Sequence, residues 1–412
     1  MKKLMTGNEA AAWGARLAEV DYIPNFPITP QTEIIETLSK WIREGEMKAV
    51  FRTMDSEHSM LTAAGSASAT GARVFTATSS QGLLYAFEML YNLSGWRVPV
   101  VMVNVSRGLS APITLEPDHN DILSARDSGF LQIHCETAQE ILDSILVAYK
   151  ISEDKRVMLP TIVNFDGFYL SFTREIVDVP KLEDVRKFLP EYKPTHTFFK
   201  ASKPLAQGTP VLNSSLYSYF RYQVHRAMEN ALDVYKEVKE EFNKKFGRPI
   251  DEVETYMMDD AEYALLMTNS FSTKGKKAVI KMREKKINVG LIKLRLFRPF
   301  PTKELMKQTR GLKGLAIIDQ NISPGKGGVI YSEVSSELYN YEEKPKVITS
   351  FIGGLGGKNI SETEFEFAIN YTRKVYEERT TLRVPILLFT EEDKKTSKTL
   401  IDIAHGGEKN EA

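Results

Sequence analysis

Arg107 follows the most apolar run in the sequence, VPVVMVNV at 98–105, within the segment NVSRGLSAP. A planar guanidinium at the end of a buried strand suits a carboxylate, which it can grip through two parallel hydrogen bonds. The alternative is a structural pair with Asp118 or Asp121, the role that Arg126 and Asp127 read as having with each other. Three other stretches hold comparable groups. MDSEHSM (54–60) sets Glu57 ahead of an alanine-, serine- and glycine-rich helix. Glu57 fits either as a carboxylate that satisfies first-turn N–H groups or as a buried acid that hydrogen-bonds a ring nitrogen, and His58 reads as a structural neighbour. ATSSQGLL (77–84) crowds Thr78, Ser79, Ser80, Gln81 and Gly82 into a strand-to-helix turn. Donors at that density suit a polar or anionic ligand, and an ordinary capped turn looks similar. FPITPQTE (26–33) brackets Ile28 and Thr29 between Pro27 and Pro30 and presents a hydroxyl at the mouth of a helix. Thr29 fits equally as an N-cap with Pro30 at the first helical position.

All four stretches fall where strands end, which is where ligands bind in open parallel sheets. The first 180 residues alternate β-branched runs with helical stretches, the signature of a parallel α/β sheet. Helices are expected at 8–18, 32–43, 59–71, 82–95 and 137–154, with strands near 21–24 and at 49–54, 73–78, 98–105 and 159–167. The small residues of 59–71 allow a helix or a flat ligand to approach closely. Residues 178–214 hold Pro180, Pro190, Pro194, Pro204 and Pro210 and read as an ordered, extended connector, because Phe198 and Phe199 need burial. A long amphipathic helix at 215–246 stops at Gly247 and Pro249. A second α/β unit begins near 260, with helices at 274–287, 302–311 and 361–379. Its strands are expected within 261–270 and at 288–297, 313–321 and 346–354. SPGKGG (323–328) and GGLGGKN (353–359) read as tight turns. The expected division is 1–180, a connector and helix over 181–257, a second α/β domain over 258–395, and a polar tail at 396–412 that frays.

Composition excludes several classes. The 412 residues carry 54 Lys+Arg against 54 Asp+Glu, so no basic field invites nucleic acid or an anionic membrane. No run of about 18 apolar residues exists to span a bilayer. The N-terminus makes a poor signal peptide. A single cysteine, Cys135, leaves no internal disulfide and no four-thiolate zinc or iron–sulfur site, and a cytoplasmic protein is the default. Neither GxGxxG after the first strand, nor GxxxxGK[ST], nor HExxH occurs, so dinucleotide, P-loop and dedicated zinc readings lack support.

Taken together, the motifs resemble the pyrimidine-domain (alpha) subunit of the 2-oxoacid:ferredoxin oxidoreductases. The family order is a P-I-T-P turn, an S-E segment, a T-A-[ST]-x-Q-G-L turn, an Arg after a buried strand and a D-x-x-x-x-R-[DQ]-[ST]-G-[FW] segment. Here these stand as Pro27 to Pro30, Ser56-Glu57, Thr76 to Leu83, Arg107, and Asp121 to Phe130. RLFRPFP (295–301) and GLGGKNI (354–360) extend the resemblance along nearly the whole chain. It implies a parallel-sheet thiamine-diphosphate pyrimidine-binding domain followed by a transketolase C-terminal-like α/β domain. It further implies CoA-linked oxidative decarboxylation of a 2-oxoacid, foremost pyruvate, of the kind used in anaerobic metabolism. The cofactor's C2 carbanion adds to the keto carbon, and electrons pass to iron–sulfur clusters. Glu57 would hydrogen-bond the aminopyrimidine nitrogen distal to C2. Arg107 and Thr29 would bind the substrate carboxylate. Pro27, Ile28, Thr29, Ser80 and Gln81 would line the cofactor.

The same resemblance marks what this chain lacks. Its only Asp-Gly, Asp166-Gly167, has no Gly-Asp-Gly…Asn context, so a partner subunit is expected to hold the diphosphate and Mg2+, with no metal on this chain. Iron–sulfur clusters and the CoA site fall to a ferredoxin-like subunit and a CoA-related gamma subunit of a hetero-oligomer that reduces ferredoxin. The small-residue helix and the strand ends would face the partner. Other 2-oxoacids (branched-chain, aryl, 2-oxoglutarate or oxalate) keep the same chemistry, and a non-catalytic α/β scaffold is the reading from a different class.

Overall fold

The structure, a computed structural model, describes residues 1–196, 198–380 and 385–404. Seven strands form one sheet in the spatial order Leu296–Arg298, Leu131–His134, Thr161–Asp166, Val100–Ser106, Val74–Thr78, Tyr22–Asn25 and Val50–Thr53. Six of them run parallel, and Leu296–Arg298 is antiparallel to Leu131–His134. Every residue of Val74–Thr78, Val100–Ser106 and Thr161–Asp166 is buried, as expected of a parallel sheet covered on both faces. Val101, Val103 and Val105 join one core with the helices Gly7–Leu17, Thr32–Arg43 and Ala138–Ser152. Val100 and Met102 face the other way, toward Glu57–Ala69 and Phe87–Trp96. The register sets Thr78 beside Asn104, Asn104 beside Asn164, and Asn164 beside His134, a polar row at the end of an otherwise apolar sheet.

A six-stranded sheet follows, in the order Ile386–Leu387, Val347–Ile352, Gly314–Asp319, Tyr263–Met267, Val289–Leu294 and Val253–Tyr256. Only Val253–Tyr256 is antiparallel. The long helix Ser214–Phe246 buries Val224, Ala227, Ala231, Val234, Val238 and Phe242, a helical stripe, and ends on Gly247 at φ +67°. Among the described residues no helix is long and apolar enough to cross a membrane.

Several expectations change. The run 288–297 is not one strand: Val289–Leu294 belongs to the second sheet, while Leu296–Arg298 crosses to the first. The switch occurs at Arg295, whose guanidinium reaches Glu140 and Glu254 at 3.0 Å each, while its carbonyl accepts from His134 N–H at 2.8 Å. The helix expected at 82–95 breaks at Ala86 into Ser80–Tyr85 and Phe87–Trp96. Pro30 is not the first helical residue; the helix starts at Thr32, and Thr29 stays in the turn without capping it. Unanticipated strands appear at Lys2–Thr6, which pairs antiparallel with Arg174–Asp178, and at Leu131–His134 and Val253–Tyr256. Helices Leu182–Phe188 and Val329–Leu338 are also new. Phe199 is half-buried against the core, but Phe198 keeps 37% exposure beneath the Lys200 ammonium. The stretch expected to fray is helical over Glu391–Ala404, and 405–412 lie outside the described residues.

Candidate active site

The turn after Val74–Thr78 is the centre of the arrangement. Ser80 takes φ +48°, a left-handed conformation unusual for serine. Asp121, wholly buried, holds it there by accepting Ser80 N–H at 3.0 Å. The same carboxylate accepts from Asn104 Nδ2 (3.1 Å), Ser106 Oγ (3.0 Å), Arg107 N–H (3.3 Å) and Ile122 N–H (2.7 Å). Burial pushes the Asp121 carboxyl up, and Asn104 and the backbone donors oppose it. Asp121 therefore ties the ends of two neighbouring strands together. The Ser80 amide turns inward to this carboxylate, so the turn does not offer that donor to an anion.

Arg107 is 6% exposed, and its guanidinium pairs with neither Asp118 nor Asp121. Nη1 donates to the Thr29 carbonyl at 2.8 Å and Nη2 to Gln81 Oε1 at 2.5 Å. Nε is buried with no acceptor. Burial lowers the Arg107 pKa from its ordinary value, partly offset by Asp121. Gln81 Oε1 also lies 2.7 Å from Ser80 Oγ, and Gln81 Nε2 donates to Ser110 Oγ at 2.6 Å. Arg126 contacts Asp127 at 3.8 Å and Glu333 at 3.4 Å, a structural grouping.

Glu57 is 5% exposed at the start of Glu57–Ala69, but Ser56 does the capping, accepting Ser59 N–H at 3.2 Å. The Glu57 carboxylate stands over Gly82. A Cβ on residue 82 would meet Glu57 Oε1 at 2.6 Å and Thr78 Oγ1 at 2.5 Å. Burial pushes the Glu57 carboxyl up, countered only by its own backbone N–H. Thr78 Oγ1 and Ser79 Oγ are buried without partners. A raised carboxyl and the unpartnered Thr78 hydroxyl thus converge on a floor with no side chain, a donor and acceptor pair suited to a flat nitrogen heterocycle. His58 sits 3.4 Å from Glu88 at the surface, a neighbour as expected.

The Pro27–Pro30 turn is held from behind. Pro30 is buried, its carbonyl accepting Asn8 Nδ2 at 2.8 Å, and a Cβ on Gly167 would press its ring at 2.8 Å. Pro27 and Thr29 remain exposed and Ile28 half-buried, beside the Arg107 guanidinium. Asp166-Gly167 is fully engaged. Asp166 Oδ1 lies 2.7 Å from His119 Nε2, and Oδ2 accepts from the Ser270 N–H at 3.0 Å and from the Ser270 hydroxyl. Three hydrogen-bonding contacts thus already engage that carboxylate.

Other candidate groups are silent. Burial pushes the Cys135 thiol up to about 12, which leaves no thiolate near neutrality. Glu136, Glu140 and Glu254 converge, but all three contact the buried Lys293 ammonium, at 2.6, 2.7 and 2.6 Å. The small face at Gly65 packs against Leu93 and Trp96 of its own chain, so it is not available to a partner.

The structure thus gathers Glu57, Ser80, Gln81, Arg107 and Thr29 around one turn. Sequence reasoning missed the position of Asp121 at the centre. The signal was an aspartate fourteen residues beyond Arg107 with Asn104 and Ser106 beside it on the strand, a polar set in an apolar run.

Residues 13–240 match the family described as pyruvate flavodoxin/ferredoxin oxidoreductase, thiamine diphosphate-binding, and residues 261–365 match pyruvate:ferredoxin oxidoreductase core domain II. Pyruvate synthase subunit PorA of Pyrococcus abyssi is 42% identical over 377 residues, covering 92% of this chain and 95% of that protein. Ketoisovalerate oxidoreductase subunit VorA of Pyrococcus horikoshii is 39% identical over 378 residues, with the same coverage of 92% and 95%. Among solved structures, a 2-oxoglutarate:ferredoxin oxidoreductase from Magnetococcus marinus, with 2-oxoglutarate, coenzyme A and succinyl-CoA bound, superposes at a TM-score of 0.68 and 17% identity. The match covers 91% of this chain and 65% of that one, and it shows the fold. An inactive split-gene transketolase tetramer matches at 0.53 and 11% identity, covering 89% and 98%.

Proposed function

Because the chain belongs to the pyruvate flavodoxin/ferredoxin oxidoreductase family, we propose that it is the pyrimidine-binding subunit of a multi-subunit 2-oxoacid:ferredoxin oxidoreductase, most directly one for pyruvate. The observation that carries the reading is the pairing of a buried, raised Glu57 carboxyl above Gly82 with a buried guanidinium whose Nε has no acceptor. Bound thiamine diphosphate supplies the carbanion that attacks a keto carbon. Glu57 holds a proton at its carboxyl and presents it to the pyrimidine ring nitrogen, and the bare Gly82 lets the ring lie close. Arg107, steadied by the Thr29 carbonyl and Gln81, takes the substrate carboxylate. Holding that group in one direction fixes the bond to be broken. Pro27, Ile28, Thr29 and Ser80 close the sides.

The diphosphate and Mg2+ belong to a partner subunit in this reading, since the Asp166 carboxylate is already committed to His119 and Ser270. Exposed Leu84, Tyr85, Ile113 and Leu115 beside the site support a subunit contact there. In this reading the iron–sulfur clusters lie in a ferredoxin-like subunit, consistent with the single cysteine here, coenzyme A binds with a gamma subunit, and the complex works in the cytoplasm with ferredoxin as acceptor. The likeness to a ketoisovalerate oxidoreductase subunit keeps branched-chain acids as the second substrate class.

The test is turnover of the complex purified with its partner subunits, using coenzyme A and a low-potential dye acceptor. Pyruvate, 2-oxoisovalerate and 2-oxoglutarate are compared. Pyruvate is expected to give the highest kcat/KM; absence of turnover with every 2-oxoacid sinks the proposal.

A further inference from the structure

The glycine-rich turn Gly354–Gly357 follows the Val347–Ile352 strand of the second sheet, yet it closes on the loop that leads away from Arg107. Gly357 N–H donates to the Pro117 carbonyl at 2.8 Å, and the Tyr169 hydroxyl donates to the Gly357 carbonyl. Residue 357 adopts φ +75°, and a Cβ there would stand 2.5 Å from Glu116 Cβ, a carbon fixed to its backbone that cannot swing aside. Glu116 in turn accepts Gly108 N–H at 3.0 Å, one residue from Arg107. Six residues earlier, Ser110 Oγ accepts from Gln81 Nε2 at 2.6 Å, and Gln81 Oε1 receives Arg107 Nη2 at 2.5 Å.

We propose that this turn is the positioning element for the 2-oxoacid: Gly357 seats the loop 109–117, and the loop, through Ser110 and Gln81, sets the direction of the Arg107 guanidinium. The inference deepens the proposed function and rests on its reading of Arg107 as the carboxylate anchor. One hydrogen bond to Pro117, one from Tyr169 and one tight approach to Glu116 Cβ fix Gly357 in place. Both routes out of the loop, Glu116 to Gly108 and Ser110 to Gln81, end at Arg107. A side chain at 357 therefore displaces the group that grips the carboxylate while leaving Glu57 and Gly82 untouched. Its effect falls on substrate binding before it falls on the chemical step.

The assembled complex is assayed with pyruvate in four forms: wild type, Gly357→Ala, Glu116→Gly, and the two combined. Gly357→Ala is expected to raise KM about tenfold with kcat within about twofold, the pattern of lost ground-state binding. The double variant, which lacks the Cβ that residue 357 would strike but keeps the strain of alanine at φ +75°, is expected to return KM part of the way toward wild type. A merely structural role would lower the melting temperature and active fraction of both Gly357→Ala forms with KM unmoved, and that result overturns the proposal. Should Gly357→Ala fail to assemble, Ser110→Ala removes only the exposed hydroxyl that takes Gln81, and an unchanged KM there also overturns it. Arg107→Lys is run in parallel. If it raises KM while Gly357→Ala does not, the turn's role fails alone; if it leaves KM unmoved, the anchor reading fails and the inference with it.

Discussion

Glu57 lies so close above Gly82 that any side chain at residue 82 would stand 2.6 Å from its Oε1. Gly82 sits in a short helix with an ordinary negative φ, so alanine suits its backbone and only the space forbids it. Gly82→Ala is expected to lower the melting temperature modestly, because buried Thr78 and Glu57 must give way, and to reduce turnover of the assembled complex by about 100-fold, the effect of an ångström-scale displacement at the proposed reacting centre. Titration with thiamine diphosphate should show weaker saturation. Normal turnover would remove the contact from the mechanism.

Glu57→Gln should cost turnover by about 100-fold or more while leaving subunit assembly intact, since it deletes a proton donor in reach of the cofactor. Its stability effect has the opposite sign. Burial raises the folded carboxyl above 4.5, so the unfolded chain releases a proton that the folded chain keeps. Stability from that proton is present below 4.5 and is lost as pH rises through the raised folded value. The amide should therefore melt higher than wild type at pH 8, and the difference should vanish at pH 4. Melting curves across that range check the sign.

Arg107→Ala leaves the Thr29 carbonyl without its donor, takes one of two donors from Gln81 Oε1 and removes the proposed carboxylate anchor. Loss of a charged, two-point contact predicts a fall in kcat/KM of about 100-fold or more. Arg107→Lys should recover little, because an ammonium cannot serve Thr29, Gln81 and a carboxylate in one plane. Steady-state kinetics at several pyruvate concentrations separates the effects. Full recovery by lysine would show that charge alone matters.

His119 and Asp166 form a wholly buried pair at 2.7 Å where the two sheets meet. Burial disfavours the charge on His119, but Asp166 outweighs it and raises the imidazole above 6.5. Burial likewise opposes the Asp166 charge, and His119 and Ser270 hold it below 3.8. The pair's contribution is fullest between 3.8 and 6.5 and is lost as pH rises through the folded histidine value or falls through that of the aspartate. Asp166→Ala, which strands a buried histidine, is expected to destabilise the chain by about 3–5 kcal/mol near pH 6. Denaturant unfolding at pH 6 and pH 9 should show that cost shrinking at the higher value.

The strands and helices of the first sheet were legible because their apolar periods are strong. Val98 to Val105 could only be a strand covered on both faces, and Thr32 to Arg43 could only be an amphipathic helix. The four site stretches were legible because their polar groups interrupt such runs. Local pattern failed where long-range pairing decides. Lys2–Thr6 is short and half-exposed, and it becomes a strand by meeting Arg174–Asp178. Nothing in NVGLIKLRLF shows that alternate cations, Lys293 and Arg295, answer Glu140 on the helix Ala138–Ser152 of the first domain and that the run splits there. Asp121 reads as a pairing partner for the Arg107 guanidinium, and only the fold shows it accepting instead from Ser80, Asn104, Ser106, the Arg107 backbone and its neighbour Ile122.

The crossing of Leu296–Arg298 into the first sheet has a consequence for how the chain can be divided. Without it, Leu131–His134 would become an open edge, a template for pairing with another molecule. A fragment ending before residue 290 would carry the whole candidate-site turn and still be prone to aggregate. The two sheets are therefore expected to unfold in one cooperative transition. Recombining halves from different relatives should succeed only when the donor of the second half also matches the receiving edge of the first.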